Sequence, residues 1–396
     1  MAKIHENLIT AICLCLEDIF FKDFYADKVI EYRFKQNRKW GSRDRKFIAE
    51  AVYEIVRNWR YLWFLSGKEV SDKQSDILNI FAVWWYVTKK DDQFLFDKDV
   101  VDKRLKEEVS PALKESYPDD LYERALSELG EDWHTIAKAL NEVTHLFLRT
   151  NTLKIKRKEL LDALALEDFE DATFVRDNEE GIIIPSRKNV FRSKAFKAGY
   201  FEVQDIASQF VAPQLAVEPG MRVIDACAGA GGKTLHLASL MQNKGRIIAL
   251  DIHEKKLHDL KIRARRAGVS IVEPKLIEGS KTIKRLHDTA DALLLDVPCS
   301  GLGVIRRNPD SKWKLSLERI TELQAIQADI LNKYSKMLKV GGRMVYATCS
   351  LLPSENEEQI KTFLAEHQDF SMLAEKTLRP DIEGYDGFYF AVMQRN

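Results

Sequence analysis

Val223-Ile224-Asp225-Ala226-Cys227-Ala228-Gly229-Ala230-Gly231-Gly232-Lys233-Thr234 runs from a β-type apolar stretch into a glycine-rich turn, and the helical spacing of Leu235, Leu237, Ala238, Leu240 and Met241 follows at once. A strand, a tight turn and a helix start in that order make a ligand loop. Glycines let the backbone approach a ligand, and the free amides of a helix start attract an anionic group. The loop is not a phosphate-clamping Walker loop, because that pattern needs glycine where Cys227 stands. Further apolar runs, Ile247-Ile248-Ala249-Leu250, Ala292-Leu293-Leu294-Leu295 and Met344-Val345-Tyr346-Ala347, recur with room for a helix between them. That alternation predicts an α/β domain with a doubly wound, Rossmann-like sheet.

Ligands of such sheets bind beyond the carboxyl ends of the strands. Asp251 ends the second run, where a carboxylate accepts hydrogen bonds from ribose hydroxyls. The plainer reading of Asp251 is a helix cap before Glu254. Lys233, at the mouth of the loop, suits a carboxylate such as the methionine part of a cofactor, or is a surface residue. On these residues alone, nicotinamide cofactors and S-adenosylmethionine both stay open.

Two more strand ends carry a thiol: Leu295-Asp296-Val297-Pro298-Cys299-Ser300-Gly301 and Thr348-Cys349-Ser350. A single cysteine is more often a small buried hydrophobe, but two at the mouth of one sheet suggest chemistry. Neither has a histidine nearby or C-x-x-C spacing, so no metal is expected. A thiolate that adds to carbon 6 of cytosine turns the ring into an enamine, nucleophilic at carbon 5, and a methyl group can then be accepted there. A base must remove the carbon 5 proton, and a second group helps to expel the sulfur. A carboxyl near N3 would stabilise the adduct, and Asp296 is the candidate.

At 396 residues the chain predicts two or three domains. With 45% hydrophobic and 31% charged residues it has the makings of a large core, not of a disordered chain. Lys+Arg and Asp+Glu both total 61, so nucleic-acid binding would have to rest on local patches. The longest apolar stretch, residues 77–87, is shorter than the roughly 20 residues of a membrane span and reads as a buried helix, so no membrane partner is expected. The odd count of five cysteines and the absence of a signal-like start point to a reducing cytoplasm.

Three domains are expected: a helical amino-terminal domain over residues 1–135, a small α+β module over 136–200 and the catalytic domain over 201–396. Phe47, Ala51, Val52, Ile55 and Val56 set the helical period of the first, which Pro111 and Pro118 interrupt. Phe147-Leu148-Arg149-Thr150 and Gly181-Ile182-Ile183-Ile184 set the strands of the second. Residues 32–60 hold a basic, aromatic-bearing stripe in which Arg33, Arg38, Lys39, Arg43 and Arg45 could grip phosphates; the bland alternative is a solvated helix face.

Taken together, the motifs resemble the RNA 5-methylcytosine methyltransferases of the Fmu/Sun type. Thr348-Cys349-Ser350 with Pro353-Ser354-Glu355-Asn356-Glu357 looks like the family's nucleophile motif, and Leu295 through Gly301 like its other cysteine motif. Gly303-Val304-Ile305-Arg306-Arg307-Asn308-Pro309-Asp310 with Lys312-Trp313, Val203-Gln204-Asp205-Ile206-Ala207-Ser208-Gln209 and Asp386-Gly387-Phe388-Tyr389 also agree. The resemblance is strong over residues 149–396 and looser before them.

It implies a class I methyltransferase catalytic domain, Cys349 as nucleophile, Cys299 as the thiol that helps release product, and Asp296 as a contact to cofactor and base. Cys227, Ala228, Gly229, Ala230, Gly231, Gly232, Lys233 and Asp251 would hold S-adenosylmethionine. Arg306 and Arg307 would meet phosphates flanking a flipped nucleotide, with a salt bridge to a nearby helix as the alternative. Two positions depart from the family: Ala228-Gly229-Ala230 replaces a common Ala-Ala-Pro, and Ser280 stands where an aspartate near the adenine amine is usual.

The expected partner is RNA, ribosomal RNA of the small subunit, and the expected state a monomer. Transfer RNA is the alternative substrate. An inert RNA-binding assembly factor and a nicotinamide-dependent oxidoreductase are the competing classes, and the oxidoreductase leaves both cysteine motifs unexplained.

Overall fold

The computed structural model describes residues 4–186 and 188–396. They form two compact units, one made of the chain up to Glu142 together with Ile305–Leu317, the other of Val143–Val304 and Glu318–Asn396.

The first unit is helical. In Ser42–Arg57 the buried residues Ile48, Ala51, Val52, Ile55 and Val56 recur every three or four positions, and the Asp44 carboxylate accepts the Gly41 amide at the helix start (3.2 Å). Residues 77–87 lie inside helix Gln74–Lys89, whose Ile77, Ile80, Phe81, Val83 and Trp84 join the same core. Among the described residues no helix is long and apolar enough to cross a membrane. Pro111 opens helix Pro111–Lys114 and Pro118 precedes helix Asp119–Leu129, so both prolines sit where a missing amide costs no helical hydrogen bond.

Ile305–Leu317 belongs to this unit although it lies within the span expected to be catalytic. Lys312 is fully buried; its ammonium donates to the carbonyl of Arg57 (2.8 Å) and to Asn141 Oδ1 (3.1 Å) and lies over the Tyr117 ring. Burial pushes that ammonium well below its usual pKa. Trp313 Nε1 donates to the Val56 carbonyl (2.8 Å), and Asp310 accepts the Ala26 amide (2.9 Å).

The second unit holds two sheets. Strands β1 (Leu146–Thr150), β2 (Thr173–Phe174), β3 (Gly181–Ile184) and β4 (Phe201–Val203) form an antiparallel sheet of order β2-β3-β1-β4. Strands β5 (Arg222–Asp225), β6 (Arg246–Asp251), β7 (Val272–Leu276), β8 (Ala290–Asp296), β9 (Leu338–Thr348), β10 (Phe370–Leu378) and β11 (Phe388–Arg395) form the large sheet, of order β10-β11-β9-β8-β5-β6-β7. Strands β5 to β9 pair in parallel, whereas β11 runs antiparallel to both β9 and β10. The chain order reverses between β5 and β8, which opens a crevice at the strand ends.

The expected α/β class holds, and the four apolar runs are β5, β6, β8 and β9. Three strands of the large sheet escape that reading. Edge strand β7 alternates exposed Glu273 and Lys275 with half-buried neighbours, as edges that discourage further pairing do. Strand β10 also has an exposed centre, and β11 is a buried run that was read only as a family motif.

The domain boundaries need correction. Residue 135 falls inside helix Asp132–Asn141, whose Trp133, Ile136, Ala137 and Leu140 are buried within the helical unit, so that unit runs to Glu142. A cut at 200 would sever β4 from β1, to which it is hydrogen-bonded.

Candidate active site

A cavity of about 570 Å³ opens at the carboxyl ends of β5, β6 and β8. Cys227, Ala228, Gly229, Ala230, Gly232, Lys233, Asp251, Asp296, Cys299 and Cys349 all line it, so the cofactor and catalytic residues singled out in the sequence converge with one exception, and Asp225 joins them. Ile277, Ile330 and Tyr334 supply an apolar wall that no motif announced.

Gly231 is the exception. Its backbone is left-handed (φ +88°), and a Cβ there would stand 2.7 Å from Leu260 Cγ in helix Glu254–Ala267. It shapes the loop and lets two helices pack; it is not a lining residue. By contrast, a Cβ built on Gly229 or Gly232 would meet nothing within 4 Å.

Asp251 receives the Gly229 amide on Oδ2 (2.9 Å) and the His253 amide on Oδ1 (2.7 Å). It therefore ties the glycine loop to the next helix while lining the cavity, and each carboxylate oxygen keeps further acceptor capacity. Lys233 does not stand free for a ligand carboxylate: its ammonium donates to Asp296 Oδ2 (2.7 Å) and lies 4.7 Å from the centre of the Phe388 ring. This ion pair joins the loop to the first cysteine motif. Ser280 lies outside the main cavity, in a neighbouring one that shares Ile277, Asp329 and Tyr334 with it.

Asp225 is the acid that sequence reasoning missed. It is 1% exposed; Thr234 Oγ1 donates to its Oδ2 (2.7 Å), and its Oδ1 makes no hydrogen bond within the protein. Burial first, and then the nearby charge of Asp296, raise its pKa to about 7. The available signal was its place at a strand end directly before the glycine turn.

These features fit S-adenosylmethionine. An acidic cavity beside open glycine backbone suits a ligand that joins a cationic sulfur to a nucleoside, and an unsatisfied buried carboxylate oxygen asks for a donor or a positive charge. Among the described residues no group of three or more His, Cys, Asp or Glu side chains could hold a metal ion.

The two thiols meet in this cavity. Cys299 Sγ and Cys349 Sγ stand 3.4 Å apart as free thiols. Contact with Cys349 and then burial push the Cys299 thiol well above its usual pKa, which keeps it protonated. The backbone enforces the approach: the Gly303 amide donates to the Cys349 carbonyl (2.9 Å), and the Gly387 amide to the Gly303 carbonyl (2.8 Å). A Cβ on Gly303 would stand 2.2 Å from the Gly387 oxygen and 2.9 Å from that of Cys349, so both glycines are required for contact.

The expected RNA contacts fare unevenly. Arg306 is only 4% exposed and its guanidinium donates to the Ala139 carbonyl (3.0 Å), so it is an internal brace of the helical unit and not a phosphate contact. Arg307 is half-buried. Arg33 pairs with Asp18, and Arg45 donates to the Trp40 carbonyl (3.0 Å) and covers the Phe34 ring, so both serve the fold. Arg38, Lys39 and Arg43 are exposed.

Comparison with known proteins agrees with this geometry. Residues 212–393 match the family described as 16S rRNA methyltransferase RsmB/F, and residues 117–191 match "Methyltr_RsmF/B-like, ferredoxin-like domain". The "Probable ribosomal RNA small subunit methyltransferase B" of Synechocystis sp. is 30% identical over 402 residues, covering 90% of this chain and 89% of its own. The ribosomal RNA small subunit methyltransferase B of Klebsiella pneumoniae subsp. pneumoniae is 35% identical over 293 residues, covering 71% of this chain and 67% of its own.

Among solved structures, a methyltransferase homolog protein from Pyrococcus horikoshii, 28% identical, aligns with a TM-score of 0.65 over 72% of this chain and 98% of its own. The crystal structure of PH0851 shares the fold over the whole of both chains, with a TM-score of 0.80 at 24% identity. A cavity that joins a glycine loop to paired thiols, and similarity to the Synechocystis relative over nearly its whole length, lead to one assignment: the chain belongs to the RsmB/F family of 16S rRNA methyltransferases.

Proposed function

We propose that this protein methylates carbon 5 of a cytosine in small-subunit ribosomal RNA, with Cys349 as the covalent nucleophile. The observation that carries the reading is the pair of sulfurs 3.4 Å apart in the cavity lined by the glycine loop, Asp251 and Asp296.

S-adenosylmethionine, when bound, supplies a methyl group on a cationic sulfur. The glycine loop and Asp251 would hold its nucleoside, and Asp225 would lie beside its positive end. Cys349 adds through its sulfur to carbon 6 of the ring, and the electron pair gained by the ring makes carbon 5 the methyl acceptor. Asp296, braced by Lys233, faces the base and stabilises the adduct.

Loss of the carbon 5 proton to a base then expels the Cys349 sulfur. Cys299, held as a neutral thiol beside that sulfur, donates a hydrogen bond to it as it leaves. Arg38, Lys39 and Arg43 would contact RNA phosphates. Five free cysteines suit the reducing cytoplasm.

The test is incubation of the protein with labelled S-adenosylmethionine and small-subunit or transfer RNA. Label in 5-methylcytosine of the ribosomal RNA is expected. Label in transfer RNA alone would move the substrate assignment, and none in either would end the reading.

A further inference from the structure

One buried acid underlies both cysteine loops and has no part in the mechanism so far. Glu355 is 0% exposed and sits in the short turn Pro353–Glu355 that follows β9. Leaving a carboxylate out of water is costly unless donors replace the lost hydration. Four donors from three segments of chain do so. The Ser300 amide (2.8 Å) and Gln327 Nε2 (2.9 Å) donate to its Oε1. The hydroxyls of Ser300 (2.5 Å) and Ser350 donate to its Oε2.

Ser300 directly follows Cys299, and Ser350 directly follows Cys349. Each serine has one hydroxyl proton and places it within reach of the same carboxylate oxygen, and the two hydroxyl oxygens also lie 3.1 Å from each other, the Ser300 hydroxyl facing Ser350 Oγ. That leaves the serine oxygens to accept: Ser350 Oγ takes the Leu352 amide (3.1 Å) and Ser300 Oγ the Leu302 amide (3.4 Å), closing a tight turn after each cysteine. Gln327 also donates to the Pro298 carbonyl (3.0 Å), and the Tyr346 hydroxyl donates to the Glu355 carbonyl (2.6 Å), so the acid is itself anchored to β9 and to helix Leu317–Tyr334. An acceptor-only group suits both sets of donors, since a neutral amide would turn its NH2 end on either the two serine hydroxyls or the Ser300 amide and Gln327 Nε2.

We propose that Glu355 is the positioning residue for the covalent chemistry: by bonding the serine after each cysteine it locks both loops and sets the separation of the two sulfurs. Its hydrogen bonds act through the backbone of residues 299–300 and 349–350, and its charge adds to the forces that hold the Cys299 thiol protonated. The inference rests on the two-thiol reading of the proposed function, so its test includes a readout independent of methyl transfer.

The experiment compares the full chain with Glu355→Gln by steady-state kinetics, S-adenosylmethionine binding and titration with phenylarsine oxide, which bridges two thiols with loss of one water only when the sulfurs lie close. Cys299→Ala identifies the bridged pair. In Glu355→Gln, phenylarsine oxide affinity should fall at least about fivefold and kcat at least about tenfold, while KM for RNA and the Kd of S-adenosylmethionine stay within about twofold.

Unchanged arsenical affinity and kcat would overturn the proposal. If Glu355→Gln does not fold, as loss of S-adenosylmethionine binding would reveal, Ser300→Ala and Ser350→Ala carry the test. Each should lower kcat at least about threefold, with rescue by Ser300→Thr, and normal kcat in both alanine variants overturns the proposal. A wild-type chain that methylates no RNA but binds the arsenical tightly would sink the proposed function and leave the clamp standing.

Discussion

The mouth of the large sheet gathers its functional side chains into one place, whereas the helical unit scatters its cations. At the sheet, eleven singled-out or adjacent residues line one cavity and two thiols expected to cooperate stand 3.4 Å apart. In the helical unit, a stripe of cations dissolves into braces: Arg33 holds Asp18, Arg45 caps Phe34, and only Arg38, Lys39 and Arg43 of the five named face solvent. Strand ends are fixed in space by the sheet, so residues that follow them converge whatever the loops do. A cation on a helix is steered by whichever acid or carbonyl the fold brings within reach, and its spacing says nothing of that.

The sharpest attempt to break the first half of this contrast is Cys349→Ala. Methyl transfer and covalent protein–RNA adduct should both vanish, a loss of at least about 10⁴-fold, whereas Cys299→Ala should let the adduct accumulate on a denaturing gel. The opposite pattern would exchange the two roles.

Gly303→Ala tests whether backbone contact, and not the cysteines alone, builds the site. The added methyl meets the Gly387 and Cys349 carbonyls, so stability should drop by about 1–3 kcal/mol and kcat by roughly 10²-fold. Thermal unfolding and single-turnover rates measure both, and a variant with wild-type rates would show that the loops hold their approach without this contact.

The helical half is sharpened by removing Arg38, Lys39 and Arg43 together. RNA affinity should weaken and the slope of log affinity against log salt should shrink by about 2, at roughly 0.7 per phosphate contact on a single strand. Replacing Arg33 and Arg45 should instead lower the melting temperature and leave the slope alone. If the slope follows Arg33 and Arg45, the assignment of braces and contacts is reversed.

A further effect is a pH dependence from Asp225. Its pKa rises from an ordinary 3.8 unfolded to about 7 folded. Well below pH 3.8 both states hold the proton and stability does not vary with pH through this group; as pH climbs toward 7 the unfolded chain alone releases it, and stability falls. Asp225→Asn should therefore flatten the pH 4–7 limb of the melting curve. S-adenosylmethionine binding should weaken in the variant above pH 7, where the carboxylate would have been ionised.

Much of the site was legible because its chemistry is local in sequence. Cys299 and Cys349 announce themselves at the ends of β8 and β9, and Gly229 and Asp251 at those of β5 and β6. Asp225 was passed over because an acid at a strand end looks alike whether its carboxylate is solvated or buried. Arg306 was misread because a basic pair after a catalytic loop looks like a phosphate grip, while the chain there has already joined the helical unit. Strands β7 and β10 went unread because half-exposed edges lack the apolar runs of central strands.

The amino-acid sequence by itself determined the α/β class, the cofactor loop and the two thiols, because period and glycine placement act over a few neighbouring residues. Only the tertiary structure decided that Lys233 belongs to Asp296, that Glu355 receives both serines, and that Ile305–Leu317 is part of the helical unit. Most of those outcomes depend on which donors and acceptors, 55 to 255 residues apart along the chain, are excluded from water together and must satisfy one another.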